Sequence, residues 1–337
     1  MSITVRRASG EELEEWNSYV KRAEAAGPFH QREGISLLAD HTGTTLHPLV
    51  AYKGQQAVGI LPVFEKRKGP FTVVVSPPSH TEVYYLGAAL LDTHQLKQRK
   101  KERRNRRFAY ACHEWTDENL DPDLTHIRTV DRYQDLRPYK EKGYAVEPYY
   151  TYVTDLTPSE DDLLMELSSD ARSNIRNTDD DEYDIEVGGL SEAKEIIDRV
   201  RERHDEQEMA YFIDDEYVTR LYTTFPDGQV KPYTCWNSEG EMAGGIVAIE
   251  HKDTVYRWQG GTKGDAEIPV NDLLDWHVMT DAKSRGIERY DLVGANQRRI
   301  CRYKSKFAPD LATYHGALKR SARAEAVNTA RTLVPFR

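Results

Sequence analysis

The chain has 337 residues, is 39% hydrophobic, and carries 56 acidic against 46 basic side chains, for a net charge of -10. That length suits two domains rather than one core, and the acidic balance argues against nucleic-acid binding over the whole surface. No apolar run of about 18 residues occurs, so no membrane-spanning helix is expected, and the scattered Cys112, Cys235 and Cys301 make neither a disulfide framework nor a metal site. The opening Ser2-Ile-Thr-Val-Arg-Arg lacks the apolar stretch of a secretory signal, which predicts a cytoplasmic location.

In chain order, Ile3 to Arg7 reads as a strand, and Ser9-Gly-Glu-Glu has the capping-box pattern of a helix start. Leu13, Trp16, Tyr19 and Val20 recur at helical spacing, and after Gly27-Pro28 a second helical stretch carries Ile35, Leu37 and Leu38. A hairpin follows: His47-Pro-Leu-Val-Ala-Tyr, a turn at Lys53-Gly-Gln, then Ala57-Val-Gly-Ile-Leu-Pro-Val-Phe. Strands are expected near Phe71 to Val75 and Tyr84 to Leu86. Residues 97–107 hold eight basic side chains and one acid, a helical face that could meet solvent, RNA phosphates or anionic lipid. It has no apolar stripe, so insertion into a bilayer is not expected. A strand at Thr125 to Val130, the motif Arg137-Pro-Tyr-Lys-Glu-Lys-Gly-Tyr and a strand from Tyr149 to Leu156 close the first half.

At Thr157-Pro-Ser-Glu a helix starts and the order begins again. Leu163, Leu164 and Leu167 give that helix its apolar face, a strand lies at Tyr183 to Val187, and helices follow at 191–208 and 214–225. A second hairpin turns at Asn237-Ser-Glu-Gly, and Thr254 to Thr262 is a strand ending in glycines. A helix from Val270 to Ser284 and the strand Tyr290 to Val293 complete the second half. "AYKGQQAVGILPV" (51–63) parallels "CWNSEGEMAGGIVAI" (235–249), and "RPYKEKGY" (137–144) parallels "CRYKSKFA" (301–308). This internal repeat predicts two copies of one mixed α/β unit, residues 1–153 and 154–337.

The ordered set Val255-Tyr-Arg-Trp-Gln, the helix 270–284, Tyr290-Asp-Leu-Val-Gly, Asn296 and Tyr303-Lys-Ser-Lys-Phe-Ala resembles a GNAT acyltransferase core. Together with residues 154–177, 258–262, 271–295 and 302–309, the duplication is similar to the FemAB-like group, the relatives of peptidoglycan-bridge aminoacyltransferases. The resemblance implies an α/β fold of two tandem GNAT-like domains, each a mixed sheet flanked by helices. It also implies N-acyl transfer of an aminoacyl or acyl group onto an amine of a cell-envelope precursor. Such transfer needs an aligned amine, stabilisation of a developing oxyanion and a route for the proton.

The stretch Lys263-Gly-Asp-Ala-Glu-Ile-Pro-Val-Asn, before the helix, has one glycine, two acids and a proline where a CoA-using GNAT offers backbone amides to a pyrophosphate. No bound cofactor is expected; the donor is aminoacyl-tRNA or acyl-CoA, and this loop favours the former. Lys304, Lys306 and Asp291 are the expected catalytic residues, and Lys140 and Lys142 occupy the aligned places in the first half. Arg172 and Arg176, four apart on one helix, are expected to grip phosphates or a carboxylate, with Tyr256, Trp258, Arg302 and Phe307 completing the substrate contacts. Trp258 also suits the core, and Asp179 to Asp181 are competing partners for the two arginines. The lysines and arginines are expected in one cleft where the halves join. An acyl-CoA-dependent acetyltransferase acting on a small metabolite and a non-catalytic binding module are the alternatives. The partners expected are the amine substrate, an aminoacyl-tRNA and a peripheral contact with anionic membrane.

Overall fold

The computed structural model describes residues 2–179, 181–262 and 266–333. The chain divides into two compact units, Met1–Tyr149 with Thr313–Arg337, and Tyr150–Ala312.

The chain runs through β1 (Thr4–Arg7), α1 (Glu11–Glu14), α2 (Trp16–Arg22), α3 (Arg32–Thr42), β2 (Thr45–Lys53) and β3 (Gln56–Lys68). It continues with β4 (Phe71–Ser76), β5 (Ala89–Leu90), α4 (Gln98–Leu120), β6 (Leu124–Arg128) and α5 (Arg137–Glu141). After β7 (Ala145–Asp155) come α6 (Glu160–Glu166), α7 (Ser169–Asn177), β8 (Tyr183–Val187), α8 (Leu190–Glu206), α9 (Asp215–Thr224), β9 (Val230–Asn237) and β10 (Met242–His251). The last elements are β11 (Thr254–Thr262), α10 (Val270–Ser284), β12 (Arg289–Asp291), α11 (Arg298–Lys304), β13 (Asp310–Arg320) and α12 (Ala322–Leu333).

The first unit's strands lie in the order β1-β2-β3-β4-β6-β13, and the second unit's in the order β8-β9-β10-β11-β12-β7. In each, a hairpin (β2–β3, β9–β10) leads to a strand that pairs in parallel across a helix, β4 with β6 and β11 with β12. The two sheets are therefore one topology used twice. The strand after each Tyr-Lys-x-Lys motif is exchanged: β7 bonds β12 through Val153 to Asp155, and β13 bonds β6 through Gly316 to Arg320. The expected division at 153/154 gave all of β13 to the second half; its ladder to β6 instead gives Thr313–Arg337 to the first unit. The two helices α6 and α7, broken apart where Ser168 caps α7, precede β8.

Local chemistry explains the elements. In α10, Val270, Leu273, Leu274, Val278, Met279 and Ala282 recur on one buried face, each worth about 1.5–3 kcal/mol for its larger side chains. β10 is buried from Met242 to Ile249, the mark of a strand covered on both faces. A Cβ at Gly245 would stand 2.5 Å from Ile196 of α8, and one at Gly59 of β3 would stand 2.6 Å from Phe108 of α4. In both units glycine lets a helix settle on the hairpin strand. Ser9 does not cap α1; Gly10 takes the N-cap position. The second core centres on Tyr233, Ile246, Val255, Leu274 and Tyr290, the first on Leu49, Leu61, Val74, Phe108 and Ile127.

Candidate active site

The parallel β11–β12 ladder has three rungs and stops at Tyr256↔Asp291. β11 runs on along β10 as far as Thr262, whereas the chain beyond β12 bends toward β7, with Leu292 N donating to Tyr152 O (2.8 Å) and Ala295 N to Tyr150 O (2.7 Å). The two strands thus part, and β11 from Arg257 onward turns one edge away from any strand among the described residues. A bulge opposite Val247/Ala248 twists β11 at this point.

The bend is held under strain. Val293 has φ of 52° and Gly294 of 84°. A β-branched residue in the left-handed region costs about 1–3 kcal/mol and persists only where its surroundings dictate it. Asp291, 2% exposed, accepts from Val293 N (2.9 Å) and from Thr151 Oγ1 (2.7 Å), and Thr151 Oγ1 accepts from Gly294 N (3.0 Å). Lys304 Nζ donates to the carbonyls of Val293 (2.6 Å) and Gly294 (3.1 Å). Burial, then the positive charge of Arg257, pull the Lys304 pKa down to about 7. Asp291 and Lys304 therefore clamp the turn where the strands part.

Beneath lies a buried polar cluster. Asp275 of α10 accepts from Arg257 Nε (2.8 Å) and from the hydroxyls of Tyr290 and Tyr303. Tyr303 also donates to Asn271 O (3.1 Å), and Asn271 Nδ2 donates to Thr262 Oγ1 (3.1 Å). Burial works against the Arg257 charge, but the Asp275 carboxylate outweighs it and raises the pKa. Burial and the same carboxylate push the Tyr290 and Tyr303 hydroxyls well above their usual range, so they stay protonated donors. This cluster ties β11, β12, α10 and α11 into one frame.

Above it opens a cleft of about 800 Å³ within the second unit, lined by Thr262, Asn271 and Asp272, by Tyr303 and Lys306, and by Arg199, Arg203 and Arg299 among others. Lys306 sits 3.0 Å from Asp272 Oδ2 and 3.1 Å from Asp170 Oδ2. Burial lowers its pKa, and the two carboxylates outweigh that and raise it, so it stays charged. Asn174 of α7 completes the pair by donating to Asp272 Oδ2 (2.6 Å). At the N-terminus of α10, Val270 N already bonds Ile268 O (2.8 Å) and Asp272 N bonds Pro269 O (2.9 Å). Lys263, Gly264 and Asp265, on which the loop expectation also rested, lie outside the described residues.

The structure sets Lys304 and Asp291 on the bend and Lys306 in the cleft. Tyr256 occupies the last rung of the ladder. Arg302 lines a shallower cleft of about 470 Å³ with Ser168, Asp170, Tyr303 and Lys306. Phe307, fully buried, belongs to the core; it packs edge-on to Tyr303, and its carbonyl accepts from Thr154 Oγ1 (2.9 Å). Trp258 is also buried, stacked on Tyr217 with ring centres 5.8 Å apart. Arg172 donates to the carbonyls of Met165 (2.7 Å) and Leu167 (3.3 Å), and Arg176 reaches Met165 Sδ (3.6 Å). Neither arginine lines the large cleft: both fasten the α6–α7 break. Asp272 and Asp275 escaped the sequence reading, though two acids three apart on an otherwise apolar helix face were a visible signal.

Residues 166–305 match the sequence profile of the acetyltransferase (GNAT) domain. Among solved structures, FemX shares 12% identity over 92% of this chain and 96% of its own, with a TM-score of 0.72. The chain has a FemAB-like GNAT fold. A tandem GNAT protein from the clavulanic acid biosynthesis pathway shares 10% identity over 95% of this chain and 98% of its own, with a TM-score of 0.53. The C-terminal domain of a protein described as a lysylphosphatidylglycerol synthetase from Agrobacterium fabrum shares 14% identity over 96% of each chain, with a TM-score of 0.56. No curated protein sequence matches the chain. In this FemAB-like GNAT fold, the parted β11–β12 pair, α10 and the large cleft all fall in the matched domain or at its edge. Among the described residues no helix is long and apolar enough to cross a membrane, and no cluster of ligands could hold a metal ion.

Proposed function

We propose that the chain is an N-acyltransferase that moves an aminoacyl group from an aminoacyl-tRNA onto an amine of a cell-envelope precursor, working in the cytoplasm. The observation that carries this reading is the parting of β11 and β12 beside the large cleft, whose lining sets Arg199, Arg203, Arg299 and Lys306 among Glu202, Glu206 and Asp272. A backbone edge freed from its ladder offers N–H groups to a carbonyl without reorganisation, which is what an oxyanion needs. The amine nitrogen attacks the ester carbonyl, a C–N bond forms and the C–O bond breaks. The amine proton leaves with the ribose hydroxyl, so the products are a neutral amide and an alcohol.

Arg203, Arg299 and Lys306, the last shared with Asp272 and Asp170, supply positive charge for phosphates of donor or acceptor, while Arg199 is paired with Glu195. Lys304 and Asp291 act as positioning residues through the turn at Val293. The names of FemX and of the lysylphosphatidylglycerol synthetase domain support envelope chemistry. An aminoacyl-tRNA is preferred over acyl-CoA because the Val270 and Asp272 amides are already spent on the backbone and the Asp272 carboxylate stands at the same helix end.

The test is a transfer assay with purified protein, envelope amines, and either mixed aminoacyl-tRNAs or acetyl-CoA. Amide formation from aminoacyl-tRNA alone supports the reading. Transfer from acetyl-CoA alone makes the protein a metabolite acetyltransferase, and binding without turnover by either donor makes it a binding module.

A further inference from the structure

In the first unit, the N-terminal half of α4 presents the densest charge in the chain. Arg99, Arg103, Arg106 and Arg107 line a cleft of about 410 Å³, and Arg137 of α5 faces them across it. Their spacing of four, three and one keeps these four α4 arginines within about one helix face, rising about 6 Å per four residues.

The cluster is only partly neutralised. Arg106 pairs with Glu141 (2.8 Å), and Arg137 with Asp135 (2.7 Å) and Glu102 (3.1 Å). Arg99 and Arg103 are exposed and have no acidic partner among the described residues. Arg104 turns inward instead, bonding Leu91 O (2.8 Å), so the helix sorts its arginines into one that anchors it and several that face out.

We infer that this concave arginine face of α4 and α5 is a docking surface for the phosphate backbone of a structured RNA. Two features point to phosphodiester rather than to a lipid surface. The guanidiniums converge on a cleft, where planar forks can each take two oxygens of one phosphate. No large apolar side chain is exposed between residues 97 and 107, so the face has nothing to bury in a bilayer. The carboxylates of Glu102, Asp135 and Glu141 hold Arg137 and Arg106 in place. Against a chain of net charge -10, a local positive face steers an arriving polyanion. The inference rests on the reading that the donor is a tRNA and adds a face of the first unit that meets its phosphates.

The test is binding of deacylated tRNA, followed by fluorescence anisotropy from about 50 to 200 mM salt, with no catalysis required. Wild type should bind with a log–log salt slope that reports several phosphate contacts, about 0.7–0.9 each. Arg99→Glu with Arg103→Glu should weaken binding at least about tenfold and flatten the slope by about 1.5–2. Arg99→Gln with Arg103→Gln, which removes charge without adding any, should give a smaller change of the same sign. Both variants should keep the wild-type melting temperature and transfer from a short aminoacylated oligonucleotide that lacks the tRNA stem. Unchanged affinity and slope in both variants overturn the inference while leaving the transfer reading standing; absence of transfer from every donor fails that reading alone. Loss of binding to phosphatidylglycerol vesicles with tRNA binding intact would assign the face to membrane and overturn the proposal as well.

Discussion

The two units use one topology, yet the gap between the parallel strands is filled in one and open in the other. In the first unit β4 stops at Ser76, and the chain returns so that Leu86 N donates to Arg128 O (2.9 Å) and Leu86 forms a parallel bridge with Thr129. Gly87 N then donates to Ser76 Oγ (3.1 Å), and β5 takes over the pairing along β3. Leu86 and Ala88 are fully buried, and a Cβ at Gly87 would lie 2.8 Å from Arg128 O. A short segment thus fills the place that corresponds to the gap between β11 and β12. In the second unit β11 is unbroken, and the bend at Val293 and Gly294 carries the chain away from it. The same topology is used twice, and the packing leaves one of the two gaps open.

The lysine motif follows the same division. Lys304 is buried on the strained turn and Lys306 faces the cleft, whereas the aligned Lys140 is exposed and Lys142 pairs with Glu114 (3.1 Å) at the surface. The polar frames differ too. The second unit has charged Asp275 and Arg257 beneath its cleft, while in the first unit Tyr133 donates to the neutral Asn105 of α4.

The largest effect should come from that frame. Asp275→Ala leaves the Arg257 guanidinium buried without its partner, a loss of about 3–5 kcal/mol in unfolding free energy measured by urea titration. Asn105→Ala should cost about 1–3 kcal/mol, the penalty of stranded neutral polar groups. Equal losses would remove the distinction between the two frames.

Leu86→Ala should cost about 2–5 kcal/mol, as for other buried leucines, and leave turnover per folded molecule unchanged. A fall in turnover beyond the lost folded fraction would mean that the filled gap takes part in the reaction. Lys306→Met should cut turnover by about 10²-fold, as for other groups that stabilise transition-state charge, whereas Lys142→Met should not alter it. Both are read by steady-state kinetics on protein of known folded fraction.

A pH dependence completes the comparison. Lys304 is held at about 7 when folded, against about 10.4 when unfolded. Below pH 7 both states carry the proton and the folded chain bears the full cost of burying it. Between pH 7 and about 10 the unfolded chain binds more protons, so stability rises with pH by up to about 1.4 kcal/mol per unit. The difference in stability between wild type and Lys304→Met should show that rise, and a flat difference would mean that Lys304 stays charged.

Much of the fold was legible because it is written locally. The hairpin repeats, the helix at Val270 to Ser284 and the Tyr-Lys-x-Lys motifs each rest on periodicity or turn chemistry within a short window. The exchange of β7 and β13 was not legible, because either strand can pair with either parallel core and only long-range register decides. Residues 301–308 carry both the clamp at Lys304 and the cleft-facing Lys306, which sequence could not tell apart. Arg172 and Arg176 looked like a ligand grip because helical spacing shows a shared face and not what that face meets. The filled gap at Leu86 left no local trace beyond the apolar Tyr84 to Leu86 stretch, read as an ordinary strand.

The central claim, that acyl transfer takes place where β11 and β12 part, is tested most directly by a crystal structure with a non-hydrolysable amide analogue of an aminoacylated tRNA 3′ end. The account predicts the analogue in the second unit's cleft, its carbonyl oxygen within hydrogen-bonding distance of a β11 backbone N–H between Arg257 and Thr262. An analogue seated at the Leu86 segment of the first unit, or with its carbonyl turned away from β11, would contradict it.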